Sequence, residues 1–141
     1  ERPTVDFVVL DDELLVSHAA VNCRDLVHAG RSWHVYGLSS VFTFPDWRKG
    51  GHGSRVVRAA TDHILASDAD VAILFCTPRL ERFYARAGWT AVPGAHILYG
   101  DPASPREKHD NLAMFLYVSK AAREARSLFE THPFYVGENA W

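Results

Sequence analysis

The sequence opens with three apolar, β-rich runs, Val5–Leu10, Leu14–His28 and His34–Phe44, separated by turns of a few residues. Asp11-Asp12-Glu13 is a polar turn, and Ala29-Gly30-Arg31 is a tight one in which glycine is free to take a positive φ. Connections this short join antiparallel neighbours, because a parallel pair needs a crossover of about a dozen residues or more. The opening third therefore reads as an antiparallel meander. Its second run is long enough to need a bulge or a bend.

Pro45 ends the third run, since proline cannot donate to a strand ladder. The pattern then changes. Val56, Val57, Ala60, Ile64 and Leu65 recur at helical spacing and predict a helix over 54–66. Val71–Cys76 is a continuous apolar run, as expected for a strand buried on both faces. A short helix over 80–87 is stopped by Gly88. Residues 89–92 and 95–99 read as extended, 100–111 as a polar loop and 112–118 as a strong strand. A helix over 120–130 and an irregular tail over 131–141 follow. No linker or repeat divides the chain, so a single α/β domain over 1–141 is expected, and 141 residues suffice to bury a core.

With 15 Lys and Arg against 17 Asp and Glu, the net charge of −2 argues against a nucleic-acid binder. No apolar run approaches the ~18 residues of a membrane-spanning helix, so no membrane partner is expected. Cys23 and Cys76 are too few for a disulfide framework and read as buried thiols in a reducing, cytoplasmic setting. The 8 histidines include no His-x₃-His pair, and there is no Cys-x₂-Cys, so no metal is expected. Trp33, Trp47, Trp89 and Trp141 read as packing anchors. The run Leu112–Val118 is accounted for equally by a homodimer contact and by a core strand.

The segment Val41–Ser54, VFTFPDWRKGGHGS, carries the chemistry. A strand leads into Arg48-Lys49-Gly50-Gly51-His52-Gly53, and a helix begins at once. Unpaired N–H groups and the partial positive charge of a helix N-terminus suit a phosphate, and glycines let backbone approach it. A P-loop would need Gly-Lys-Ser/Thr after the last glycine, whereas Gly53 is followed by Ser54-Arg55. A dinucleotide-binding fingerprint would follow the first strand, whereas this strand is the third of a meander. The reading that remains is a coenzyme A pyrophosphate loop.

The strand Val41-Phe42-Thr43-Phe44, the loop 48–53 and the later Arg82-Phe83-Tyr84-Ala85-Arg86-Ala87-Gly88-Trp89 together resemble the Gcn5-related N-acetyltransferase (GNAT) superfamily over residues 5–118. Asp46–Lys49, the tail and Trp141 are most similar to its aminoglycoside 2′-N-acetyltransferase branch. The resemblance implies a mixed, mostly antiparallel sheet with helices on both faces and two splayed strands, here His34–Phe44 and Val71–Cys76. It implies acetyl-CoA as acyl donor and a small-molecule amine as acceptor, with a non-catalytic acyl-CoA-binding module and a protein N-acetyltransferase as alternatives. Backbone groups of Val41, Phe42 and Thr43 would meet the pantetheine and polarise the acetyl carbonyl. Arg48 and Lys49 would add charge, and the N–H groups from Lys49 through Gly50, Gly51, His52 and Gly53 to Ser54 would hold the pyrophosphate. Tyr84 would protonate the departing thiolate.

The chain departs from the family pattern at two positions. Ser39 stands where relatives carry a glutamate base, and can at most order a water; His34, Asp11, His18 and the Trp141 carboxylate are the other candidates. Thr77 stands where an asparagine commonly contacts the cofactor, and it can hydrogen-bond or cap the short helix. The family usually begins with a strand and one or two helices before the strand seen at Val5. With Glu1 rather than methionine at the start, the expectation is that these N-terminal elements are absent.

Overall fold

The computed structural model describes residues 2–141, and Glu1 lies outside them. The meander forms as expected: β1 (Val5–Asp11), β2 (Leu14–His28) and β3 (Arg31–Thr43) pair antiparallel in sequence order. His28 pairs with Arg31 across Ala29 and Gly30, both at positive φ (50° and 78°), the two-residue turn whose twist matches the flanking strands. This turn moves the start of β3 three residues ahead of the predicted His34.

Helix α1 (His52–Leu65) starts two residues earlier than its apolar spacing suggests, because Gly51 caps it in the left-handed conformation at φ 80°. β4 (Val71–Cys76) returns parallel to β3, and a 3-10 turn at Pro78–Leu80 leads into the short α2 (Glu81–Ala85). β5 (Thr90–Ala91), β6 (Ile97–Tyr99), β7 (Arg106–Glu107) and β8 (Leu112–Tyr117) follow, then α3 (Lys120–Glu124), α4 (Arg126–Thr131) and β9 (Phe134–Tyr135). The predicted helix over 120–130 is thus two helices, and the loop and tail each hold a short strand. These strands take two residues each, too few to leave a periodicity in the sequence.

The main sheet runs β1-β2-β3-β4-β8-β5, antiparallel throughout except at β3–β4, and a smaller sheet runs β7-β6-β9. β8 is hydrogen-bonded on both sides, so it is a core strand. The expectation that an N-terminal strand and helices are absent is overturned. β1 is an N-terminal strand that pairs along its whole length with β2 and forms one edge of the sheet. Helices cover both faces.

Two apolar clusters lie on the two faces. Val56, Val57, Ala60 and Ile64 of α1 pack with Val16, Leu38, Leu74 and Tyr84 on one. Trp33, Val35, Phe115, Phe129 and Phe134 fill the other, together with Ala122 of α3. β4 feeds both: Val71 and Ile73 join the second cluster, Ala72, Leu74 and Cys76 the first. That explains its unbroken apolar run. Cys23 and Cys76 are buried free thiols, and burial raises both above the ordinary thiol range.

The tail crosses back over β2 and β3 on the second face. Arg24 stacks on the Trp141 indole at 4.3 Å and donates to the Val136 carbonyl at 2.7 Å. The indole lies directly on Gly37, and a Cβ there would overlap it. Gly37→Ala is therefore expected to displace Trp141 and leave the rest of the sheet intact. Faster release of the last residues by carboxypeptidase, with an unchanged far-ultraviolet spectrum, checks this; an unchanged release rate would contradict it.

Candidate functional site

β3 and β4 pair only at Val35–Gly37 and Val71–Ile73. Beyond that the strands part, for a reason local to β3. The β2–β3 register slips between His18 and Ala20, and Ser40 takes a positive φ of 52°, inserting one extra residue. The bulge is buttressed from β2: His18 Nδ1 donates to the Ser40 carbonyl at 2.7 Å, its Nε2 lies 2.8 Å from Asp6 Oδ1, and its ring stacks on Phe42.

The extra residue also reverses which backbone groups face which neighbour. After the bulge, Phe44 N–H donates to Val16 O and the Phe42 carbonyl accepts from the Ser17 hydroxyl at 3.0 Å. Even-numbered residues there thus turn their backbone to β2. By strand alternation, Val41 and Thr43 turn theirs the other way, into the gap between β3 and β4. Phe42 meets the gap with its ring, 42% exposed, and not with its amide.

The gap opens into a cleft of about 580 Å³. Val41, Phe42 and Thr43 form one wall. Arg48, Lys49, Gly51, His52, Gly53 and Ser54 form its mouth, and Tyr84 lies on the opposite wall. Trp47, Arg79, Leu80 and Phe83 line it as well and are not among the predicted site residues, although Trp47 reads as a packing anchor and Phe83 belongs to the motif around Tyr84. Their signal was nonetheless present: Leu80, Phe83 and Tyr84 fall at i, i+3 and i+4, one helix face, and Arg79 is a cation one residue before them.

The mouth is suited to an anion. Arg55 N–H makes the first intrahelical bond of α1, to Gly51 O, so the amides before it are free of helix partners. No side chain caps the helix, and its first turn holds no acidic residue. His52 Nδ1 is buried without a hydrogen-bond partner among the described residues. Gly53 sits so close to β3 that a Cβ would lie 3.2 Å from Thr43 Oγ1. Arg48 Nε donates to the Thr43 carbonyl at 3.0 Å and Trp47 Nε1 to Asp11 Oδ2 at 3.1 Å, tying the loop to the sheet. A free helix end, an orphaned imidazole nitrogen and three cations make the residues present a fit for a diphosphate.

Tyr84 is 5% exposed, and its hydroxyl has no hydrogen-bond partner among the described residues. Burial, with a smaller contribution from Cys76, pushes its pKa up to about 12. It is a neutral phenol with a free O–H on a cleft wall.

The remaining predicted residues fall outside the cleft lining. Gly50 stands behind the mouth, against the His52 ring. Thr77 is exposed; its carbonyl, not its hydroxyl, caps the 3-10 turn by accepting from Leu80 N–H. Ser39 is half-buried beside the bulge, two residues from Gly37 and so on the face that carries Trp141. Among the other candidate bases, His18 has both ring nitrogens engaged, His34 Nδ1 lies 2.6 Å from Asp25, and Asp11 holds Trp47. No group of His, Cys, Asp and Glu able to hold a metal ion occurs among the described residues. No helix among them is long and apolar enough to cross a membrane.

Residues 5–92 match the model of one family, described as "Acetyltransferase (GNAT) domain". Among solved structures, the chain is similar to a conserved protein of unknown function from Enterococcus faecalis V583, a probable N-acyltransferase. That likeness has 18% identity and a TM-score of 0.56 and covers 70% of this chain and 28% of that one. It is similar to glucosamine-6-phosphate N-acetyltransferase from Arabidopsis thaliana, with 18% identity, TM-score 0.55 and coverage of 60% and 58%. It is also similar to an aminoglycoside 6′-N-acetyltransferase complexed with coenzyme A, with 11% identity, TM-score 0.57 and coverage of 82% and 73%. The chain thus spans less than two thirds of the first two structures. At these identities the likeness shows the fold. No curated protein matches the sequence.

Proposed function

The chain belongs to the acetyltransferase (GNAT) domain family, and from that membership we propose that it is an acetyl-CoA-dependent N-acetyltransferase acting on a primary amine of a small molecule. The observation that carries this reading is the cleft itself, with an anion-ready helix end at its mouth, outward-turned backbone along one wall and a free phenol on the other.

Acetyl-CoA supplies a thioester carbonyl and a thiol leaving group. The amides from Gly51 to Ser54 hold its diphosphate, with Arg48, Lys49, Arg79 and His52 Nδ1 around it. Val41 and Thr43 present backbone N–H groups that pair with pantetheine amides and with the carbonyl oxygen as it gains negative charge. The Tyr84 hydroxyl donates its proton to the departing sulfur. The amine attacks in its neutral form, and its surplus proton passes to water. Ser39 is no base at neutral pH, and His18, His34 and Asp11 are each held by another partner.

Aminoglycosides are the first acceptors to test. The segment Asp46–Lys49 and the terminal Trp141 resemble the aminoglycoside 2′-N-acetyltransferase branch, and a similar fold serves an aminoglycoside 6′-N-acetyltransferase. The absence of a glutamate at Ser39 favours a second reading, an acyl-CoA-binding module without turnover. Calorimetry with acetyl-CoA, followed by thiol release over a panel of aminoglycosides, simple amines and a lysine-bearing peptide, separates the readings. Saturable binding with thiol release on a small amine is the expected result. Binding without release on any acceptor supports the module, release on the peptide alone supports a protein acetyltransferase, and no binding removes all three.

A further inference from the structure

Ser40 is a serine at a positive φ of 52°, a conformation that a residue with a Cβ keeps only where its surroundings fix it. The fixing contact comes from His18 on β2. Its Nδ1 lies 2.7 Å from the Ser40 carbonyl, and its ring stacks on Phe42 at 5.3 Å with 23° between the planes. Phe42 in turn lines the cleft. One side chain thus holds both the extra residue of β3 and the aromatic ring beside it. Only 16% of that side chain is exposed, so the imidazole has little room to turn away.

The second ring nitrogen decides which state the imidazole must be in. Nε2 lies 2.8 Å from Asp6 Oδ1 on β1. A backbone carbonyl and a carboxylate are both acceptors, and a neutral imidazole has a single N–H to share between them. The imidazolium, with a hydrogen on each nitrogen, satisfies both. β1 presents Asp6 and Val8 to the ring, and β3 presents Phe42 and the Ser40 carbonyl. Asp6 is therefore the one charged group bonded to the ring among the described residues. Loss of one proton sets the two acceptors in competition. The bond to the carboxylate is charge-assisted and the stronger of the two. The remaining hydrogen then stays on Nε2, and Nδ1 turns a lone pair on the Ser40 carbonyl.

We propose that His18 is a positioning residue of the cleft and that it holds the Ser40 bulge as an imidazolium, so that proton loss at the ring releases Ser40 and lets the Val41–Thr43 wall relax. The kinetic consequence rests on the N-acetyltransferase reading, whereas the state of the ring and of the bulge does not.

Asp6→Asn separates this role from a merely structural contact. The asparagine amide donates where the carboxylate only accepts, so a neutral ring keeps its hydrogen on Nδ1 for Ser40 and the clamp holds without the extra proton. Asp6 is 59% exposed, so the exchange leaves the core untouched. Nitrogen NMR of the isotope-labelled wild-type protein is expected to show hydrogen on both ring nitrogens at about pH 7 and on Nε2 alone at about pH 9. In Asp6→Asn the neutral ring should carry it on Nδ1. The backbone amide signals of Ser40 and Val41 should move over that range in the wild type and stay fixed in the variant. The kcat of the wild type relative to Asp6→Asn should fall roughly tenfold over the same range, the scale of one charge-assisted hydrogen bond. Tyr84, with its pKa pushed up to about 12, contributes no fall there. A neutral wild-type His18 at neutral pH, an Nδ1–H tautomer in the alkaline wild type, amide signals that stay fixed in the wild type, or a constant kcat ratio overturns the proposal. Should no amine release thiol, the ring and amide signals decide alone: their expected course upholds the clamp while the acetyltransfer reading fails.

Discussion

Replacing Tyr84 by phenylalanine is expected to lower kcat by about 10²–10⁴, the range of a positioned general acid, while the Kd for acetyl-CoA stays within about twofold. The Tyr84 hydroxyl has no protein hydrogen-bond partner among the described residues, so its removal orphans no donor or acceptor. The ring keeps its edge-on contact with Phe83, at 5.0 Å, and its place in the apolar cluster. Binding of the diphosphate is assigned to α1, on the other side of the cleft. Only proton donation is deleted. The pH profile gives a second reading. With its pKa pushed to about 12 by burial, the phenol stays protonated through the working range. Turnover should therefore rise as the acceptor amine loses its proton and show no fall from this group below about pH 11. The linked stability has the same sign: it is complete below the ordinary tyrosine pKa of ~10 and declines as the pH climbs toward 12. An unchanged kcat in the variant would remove Tyr84 as the acid.

Phe129→Ala is expected to cost about 3–5 kcal/mol, as deletion of a buried phenylalanine does, and to lower Tm by roughly 10–20 °C. Phe129 is fully buried and its ring contacts those of His28, Trp33, Tyr117 and Phe134, at centroid distances of 4.9 to 6.2 Å. That aromatic knot holds α4 and β9 to the sheet, and His28 donates from Nε2 to the Leu128 carbonyl at 2.7 Å. The cofactor side has its own cluster around α1, which does not include Phe129. Below its melting point the variant should thus still bind acetyl-CoA with little change. Thermal melts with and without acetyl-CoA measure both claims. A shift of only a degree or two, or loss of binding in the cold, would show that the two faces are not independent.

The parts of the molecule legible in the sequence are those fixed by short-range chemistry. The tight turn at Ala29-Gly30 and the alternating runs around it specify the meander. The unbroken apolar run of β4 follows from clusters on both of its faces. The anion loop was readable because a strand, a proline, glycines and a helix follow one another within fourteen residues. What escaped depends on contacts far apart in the chain. β9 exists because Phe134 and Tyr135 pair with Ile97 and Leu98, and two residues carry no period. The expectation of a missing first strand failed because β1 finds its partner in β2 and needs nothing before it to become a strand. Arg79 and Leu80 reach the cleft only through the turn that follows β4. The bulge at Ser40 could be anticipated no more closely than as a break somewhere in a long strand pair, since serine at positive φ has no sequence signature.

That bulge has a consequence for how the site can be probed. The groups it aims into the cleft are amides, common to every residue type, so side-chain replacement along Val41–Thr43 exchanges the paint and leaves the wiring in place. What the cleft depends on there is the count of residues. Removing one between Leu38 and Val41 would make the β2–β3 ladder regular: Phe42 would still face His18, but the bulge beside the point where β3 parts from β4 would be gone. In this protein the sensitive mutation beside the cleft is a deletion, and a substitution scan passing over the same residues would report them as tolerant.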